Sequence, residues 1–209
     1  IPSFFQYFDH RLIHTNQNYD YELNKIFFDE LKIRQPDVFL DTSSTSASRT
    51  ISNVISQIDE QIKEFNPDAF FILGDTNSCL SAISAKRNKI PIFHFEAGNR
   101  CFDFRVPEEI NRKIVDHVSD INITYSQIAK TYLLNEGLPA DQIICAGSPM
   151  KEILEHYEEN INSSKILKKI DLKHASFFLI SMHREETVDN KEKLSEIFET
   201  LSELKEIYK

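Results

Sequence analysis

The chain has 209 residues, 41% hydrophobic and 27% charged, with a formal net charge of −9. This composition suits a folded chain rather than a disordered one, and the acidic balance argues against a nucleic-acid surface, leaving room only for a local basic pocket that takes a phosphate. No apolar run approaches the ~20 residues of a membrane helix, so no membrane partner is expected.

Read in chain order, residues 9–14 suit a short strand. Residues 21–31 place Leu23, Ile26, Phe27 and Leu31 at helical spacing. A short extended piece at 38–40 leads into a Ser/Thr-rich loop at 41–49. Residues 51–65 then form a helix with Val54, Ile55, Ile58 and Ile62 on one face. Pro67-Asp68 breaks the chain before a buried strand, 69–73. Gly74-Asp75-Thr76 turns into a helix at 78–87, and 90–95 is the next strand. Pro107 suits a first helical turn, and Glu108 and Glu109 suit its positive end. Ile110, Ile114, Val115 and Val118 are the expected buried stripe of that helix. A strand at 121–125 precedes Ser126, a cap for a helix ending near Gly137. A strand at 142–145 and the turn Gly147-Ser148-Pro149 lead into a further helix. The acidic run 152–159 reads as a solvated helix face.

Strands alternate with helices, which means α/β: a Rossmann-like, doubly wound, mostly parallel sheet. The polar, Lys-rich stretch 160–173 reads as a boundary. Residues 177–182 read as a strand and 191–208 as a helix, the opening of a second α/β unit. The expected domains are therefore 1–165 and 166–209.

Cys79, Cys101 and Cys145 lack C-x-x-C spacing. They read as reduced thiols of a cytoplasmic protein, and the N-terminus has no basic leader region. With four glycines in all, no Gly-rich nucleotide loop of the G-x-G-x-x-G or Walker kind is encoded. The histidines have no ligand spacing, so no metal site is expected.

Chemistry in such a sheet sits at the carboxyl ends of the strands. Thr15-Asn16-Gln17-Asn18, Asp75, Glu96 and His183-Arg184-Glu185-Glu186 all fall there. Asp75 reads either as a base or ribose ligand, or as a helix cap. Glu96, between an apolar strand and a glycine, should be poorly solvated. Its proton affinity should then be raised enough for acid–base work, unless Arg100 or Arg112 neutralises it. Glu108 reads as a further acid–base group or as a plain helix-dipole partner. His183 and Arg184 suit a diphosphate leaving group, Arg100 and Arg105 suit anions, and His94, inside a strand, suits core packing.

Taken together, Leu73-Gly74-Asp75-Thr76, His94-Phe95-Glu96-Ala97-Gly98-Asn99-Arg100, Pro107-Glu108-Glu109-Ile110-Asn111-Arg112, Gly147-Ser148-Pro149 and Met182-His183-Arg184-Glu185-Glu186 resemble, in this order, the UDP-N-acetylglucosamine 2-epimerases. His14-Thr15-Asn16-Gln17 resembles the early strand end of that family, with Asn16 where glycine is usual. Asn99-Arg100-Cys101-Phe102-Asp103 is closer to the branch that makes UDP-N-acetyl-L-fucosamine.

The resemblance implies a two-domain GT-B-type fold with a UDP-sugar in the cleft. Asp75, Glu96, Glu108 and His183 would be catalytic. Gln17, Arg100, Arg112, Ser148, Arg184 and Glu185 would bind substrate. It also implies no cofactor, a cytoplasmic homodimer, and a role in nucleotide-sugar supply for surface polysaccharide such as capsule or O-antigen. The reaction would be epimerisation at C2 by elimination and re-addition of UDP. A hydrolysing epimerase, a GT-B glycosyltransferase and an inactive UDP-sugar-binding fragment are the alternatives. Family members open with a further strand and a Gly-Thr-Arg-Pro-Glu turn and continue well past this chain's last residue, so the expectation is a piece of a longer enzyme.

Overall fold

The computed structural model describes residues 7–15, 25–174, 177–182 and 190–208. The chain divides into two compact units, Ile1–Lys151 and Glu152–Lys209.

The first unit is α/β with every described strand pairing parallel. Strand β1 (Ile13–His14) pairs with β2 (Val38–Phe39) across helix α1 (Lys25–Glu30). A second sheet holds β3 (Phe70–Leu73), β4 (Ile92–Phe95), β5 (Ile121–Thr124) and β6 (Ile143–Cys145), neighbours in chain order. Leu73 is opposite Phe95, and Phe95 is opposite Ile123. The carboxyl ends of β3, β4 and β5 therefore line up at one edge.

Helix α2 (Ala47–Phe65) is longer than the sequence suggested, because the Ser/Thr-rich segment contains its cap: the Ser46 hydroxyl accepts from the Arg49 N–H. Asn66 closes it in the left-handed region at φ +50°. Thr50, Val54, Ile58 and Ile62, spaced by four, are its buried stripe. Val54, Ile58 and Ile62 pack on Ile72 and Ile92 of the sheet together with Leu80, Ala82, Ala85 and Val115. Each valine, leucine or isoleucine among them contributes roughly 1.5–3 kcal/mol by leaving water. The segment after β3 forms a 3-10 turn (Asn77–Ser81) and then α3 (Ala82–Arg87). On the opposite face of the sheet the Phe71 and Phe93 rings stack at 5.1 Å.

Helix α4 (Pro107–Val118) starts on proline as expected, but its buried side differs from the expected apolar stripe. Glu109, Asn111, Val115 and Asp116 are buried, whereas Ile110 and Ile114 are 45% and 36% exposed. The first turns of the helix meet the polar segments at Asp75 and Cys101–Phe102, so polar residues face inward there, while the other half of the expected stripe holds: Val115 joins the apolar core and Val118 packs against it. Helix α5 (Gln127–Asn135) is capped by Ser126 as expected, and Leu133 packs with Ala97 and Ile143 in a second small core. Helix α6 (Met150–His156) follows β6 and spans the division between the units.

In the second unit the described residues form α7 (Glu158–Asn162), α8 (Ile166–Lys169) and α9 (Lys191–Ile207). Asn190 caps α9 by accepting from the Lys193 N–H at 3.1 Å. Residues 177–182, read as a strand in the sequence, pair with no strand. A strand exists only as part of a ladder, and the described residues of this unit contain no second one. Their side chains stay open to solvent, with Leu179 89% exposed. Among the described residues, no helix is long and apolar enough to cross a membrane.

Candidate active site

The aligned strand ends of the first unit bring Asp75 and Glu96 together. Asp75 follows Gly74, which turns at φ +79° and bonds through its N–H to the Phe95 carbonyl at 3.1 Å. A methyl group built on Gly74 would sit 3.8 Å from Glu96 Oε2, so the Glu96 carboxylate lies over the turn that carries Asp75. Glu96 itself has φ +68°, in the left-handed region, at a cost of about 1–3 kcal/mol for a side chain of this size. Three features hold it there. The Ala97 N–H bonds to the Ile123 carbonyl at 3.1 Å. The Asn99 amide donates to Glu96 Oε1 at 3.4 Å. Gly98, at φ +80°, presses on α5 where a Cβ would lie 2.5 Å from the Ala129 oxygen.

Burial raises the pKa of Glu96, and the charge of Asp75 raises it further; His94 and Arg112 offset part of this. The poor solvation expected from the sequence is thus present, and no arginine pairs directly with Glu96 among the described contacts. Tyr125, at the end of β5, has its hydroxyl pKa raised by burial and then by the charge of Glu96.

Arg112 pairs instead with Asp75, Nη1 to Oδ2 at 2.9 Å, and with Glu109 at 3.2 Å. Asn111 donates to the Asp75 carbonyl at 2.9 Å. Helix α4 therefore grips the Asp75 turn by two consecutive side chains. Glu108 is exposed in the first turn of α4, four residues before Arg112 and so on the same helical face.

Glu109 is fully buried and turned inward. Its carboxylate accepts from the Cys101 N–H at 3.0 Å and the Phe102 N–H at 3.2 Å. Burial pushes its pKa up, but those donors, the Cys101 thiol and Arg112 outweigh burial and hold it below the ordinary value. Phe102 is thereby fixed at φ +57°.

Arg100, expected to bind an anion, is enclosed by protein. Its guanidinium is fully buried, donating to Asp116 at 2.7 Å and twice to Glu136 at 2.7 and 2.6 Å. Ser148 follows β6 at the same sheet edge, exposed, accepting from the Met150 N–H at 3.3 Å. Arg105 is exposed and pairs with Asp103. His94 is a packed core histidine, as the sequence suggested, with both ring nitrogens bonded. Thr15 meets Ser78, Oγ1 to Oγ at 2.7 Å. Gln17, His183, Arg184 and Glu185 lie outside the described residues.

This geometry coincides with a family signature. The profile of the UDP-N-acetylglucosamine 2-epimerases matches residues 5–209. The chain belongs to that family. It is 36% identical over 205 residues to the UDP-N-acetylglucosamine 2-epimerase of Methanocaldococcus jannaschii, covering 96% of this chain and 56% of that protein. It is 34% identical to the UDP-2,3-diacetamido-2,3-dideoxy-D-glucuronate 2-epimerase of Pseudomonas aeruginosa, over 92% of this chain and 54% of that one. The solved structure of the Rickettsia bellii UDP-N-acetylglucosamine 2-epimerase superposes with TM-score 0.91 at 50% identity, over all of this chain and 54% of the other. The Methanocaldococcus jannaschii enzyme in complex with UDP-GlcNAc and UDP superposes at 0.90 and 33% identity, over all of this chain and 58% of that one. The chain thus spans about half the length of the relatives it matches, and over that half its α/β fold is that of these GT-B-type epimerases.

Within this epimerase frame, sequence reasoning missed Glu109, Asn111 and Asp116. A signal was present: Glu109, Arg112 and Asp116 recur at i, i+3 and i+7, a polar stripe beside the apolar one.

Proposed function

We propose that the whole protein epimerises C2 of a UDP-N-acetyl-hexosamine by non-redox elimination and re-addition of UDP. No carbonyl is attached to C2 of such a sugar, so its proton leaves only if the C1–O bond breaks. One carboxylate takes the C2 proton, the C1–C2 double bond forms, and UDP departs with the C1–O electron pair, giving a 2-acetamidoglycal. A second carboxylate then delivers a proton to the other face of C2 as UDP re-adds at C1. Two faces require two acid–base groups whose proton affinities differ.

The observation that carries this reading is the pair Asp75 and Glu96 on adjacent strand ends. Asp75 is anchored by Arg112, while Glu96 is poorly solvated and, among the described residues, unpaired with arginine. We assign both as acid–base groups, with Glu108, one turn ahead of Arg112, as the third. His183 is assigned to the departing diphosphate with Arg184. Gln17, Ser148 and Glu185 are assigned to substrate binding. Arg112 serves it by holding Asp75, and Arg100 by holding the turn after Glu96. Residues 1–165 would belong to a Rossmann-like nucleotide-sugar domain, and 166–209 to its partner domain. The Asn99–Asp103 run favours a 6-deoxy-L-talose-type sugar of the UDP-N-acetyl-L-fucosamine branch. A cytoplasmic homodimer formed through the first unit is part of the same proposal.

The test is incubation of the intact enzyme with UDP-sugar in deuterated water. Deuterium at C2 of the epimerised product is expected. Epimerised product without deuterium rejects the mechanism, and release of free sugar assigns the hydrolysing reaction instead.

A further inference from the structure

Asp116, near the end of α4 and closed to solvent, joins both halves of the site. Its Oδ1 lies 2.8 Å from His94 Nδ1. Its Oδ2 accepts from the Gly98 N–H at 3.2 Å and from Arg100 Nη1 at 2.7 Å. Asp116 and the side chains of His94 and Arg100 are all 0% exposed. Each donor belongs to a different part of the site. Gly98 ends the turn that carries Glu96. The other ring nitrogen of His94, Nε2, donates to the Gly74 carbonyl at 2.9 Å, in the turn that carries Asp75. A carbonyl only accepts, so Nε2 carries a hydrogen, and a second proton lies between Nδ1 and the carboxylate. Asn122, on β5, donates to the Asp116 carbonyl at 2.9 Å and fixes that point of the helix to the sheet.

We propose that Asp116 is a positioning residue that sets Asp75 and Glu96 in register with one another. One arm runs from Asp116 through His94 to Gly74; the other runs from Asp116 to Gly98. Glu96 sits at φ +68°, where a residue with a Cβ persists only if its surroundings hold it, while Gly74 reaches φ +79° without strain and is tied down through its carbonyl. Arg100, itself clamped by Glu136, brings a positive charge to the Asp116 carboxylate. Among the described residues, the charged and titratable groups acting on or facing Glu96 are Asp75 from the β3 turn, His94 on its own strand, Tyr125 from the end of β5 and Arg112 from α4. If the hold slackens, water reaches Glu96 and its proton affinity falls back toward that of an ordinary glutamate.

This inference rests on the assignment of Asp75 and Glu96 as acid–base groups. Asp116→Asn in the intact enzyme is expected to lower kcat by about 10²-fold, as a displacement near 1 Å does, with a much smaller change in KM. The acid limb of its pH–rate profile moves to lower pH. Ser46→Ala, which removes the cap of α2 away from these turns, lowers the thermal midpoint and leaves kcat and that limb unchanged. An Asp116→Asn enzyme that is less stable but keeps the parental kcat and acid limb overturns the proposal. If Asp116→Asn does not fold, amide hydrogen exchange of the parent protein decides. The Gly98 N–H is expected to exchange as slowly as the amides of β4, and exchange at the rate of an open loop overturns the proposal. A parent enzyme that makes epimer without deuterium at C2 overturns the assigned chemistry instead, while Gly98 protection still reports on Asp116.

Discussion

Substituting Gly98 by alanine tests the packing that holds Glu96 in place. The added Cβ would lie 2.5 Å from the Ala129 carbonyl oxygen, 2.9 Å from its carbon and 3.0 Å from Leu133 Cγ. Two of these atoms are backbone of α5, so a rotamer change cannot relieve them. Overpacking of this kind costs about 1–3 kcal/mol. Placing a Cβ at φ +80° adds about 1–2 kcal/mol. The sum, about 2–5 kcal/mol, is a large share of the roughly 5–15 kcal/mol that stabilises a typical domain. With a urea dependence of about 2 kcal/mol per molar, the unfolding midpoint of Gly98→Ala should fall by about 1–2.5 M. Turnover should fall with it, because relief of the clash pushes the Glu96 turn off the sheet edge. Circular dichroism in urea gives the midpoint. A midpoint within ~0.3 M of the parent, with turnover intact, would refute the claim that α5 clamps this turn.

Three further outcomes follow from the same contacts. Glu96→Gln should reduce turnover by about 10²–10⁴-fold while the protein still binds UDP-sugar, measured by product assay alongside calorimetric titration. If Glu96 works as a base, its ionised form is the active one, and its pKa is raised above the ordinary 4.5 by burial and by Asp75. Activity should therefore fall away on the acid side at a pH above 4.5, and Asp75→Asn should move that limb of the residual activity to lower pH. Glu136, bonded to Arg100, His117 and Lys113, has its pKa held down from 4.5 to about 2. A depressed carboxylate stabilises the fold above its unfolded pKa and loses that effect as pH falls through the folded one. Glu136→Gln should thus destabilise the protein at neutral pH, by at most roughly 3 kcal/mol, and the difference from the parent should vanish between pH 4.5 and about 2 in acid-denaturation curves.

Much of the first unit was legible in the sequence because short apolar runs ending in Gly-Asp or Glu-Ala-Gly mark strand ends directly. The position of Glu96 between Phe95 and Gly98 sufficed to expect its poor solvation, and Ser126 announced α5. The inner face of α4 was not legible in the same way. A hydrophobic stripe marks a buried face only where the surface beneath it is apolar: Val115 and Val118 meet the core as expected, but Ile110 and Ile114 face outward while Glu109 and Asp116 face in toward polar turns and the His94 and Arg100 side chains. Arg100 misled for a related reason. An arginine after a strand-end glycine is equally suited to an anion or to buried carboxylates, and its partners, Asp116 and Glu136, are 16 and 36 residues away. Residues 177–182 have the composition of a strand, but ladder formation depends on neighbours that a local pattern does not supply.

The whole account stands on acidic groups far apart in sequence meeting around one carbon atom of the substrate. A crystal structure of the intact enzyme bearing an unreacted UDP-sugar, trapped with Glu96→Gln, tests this most directly. The pyranose C2 should lie about 3–4 Å from the side chains at positions 75 or 96, with a carboxylate on its other face. A sugar ring bound away from the ends of β3 and β4, with uracil or diphosphate in that place, would contradict it.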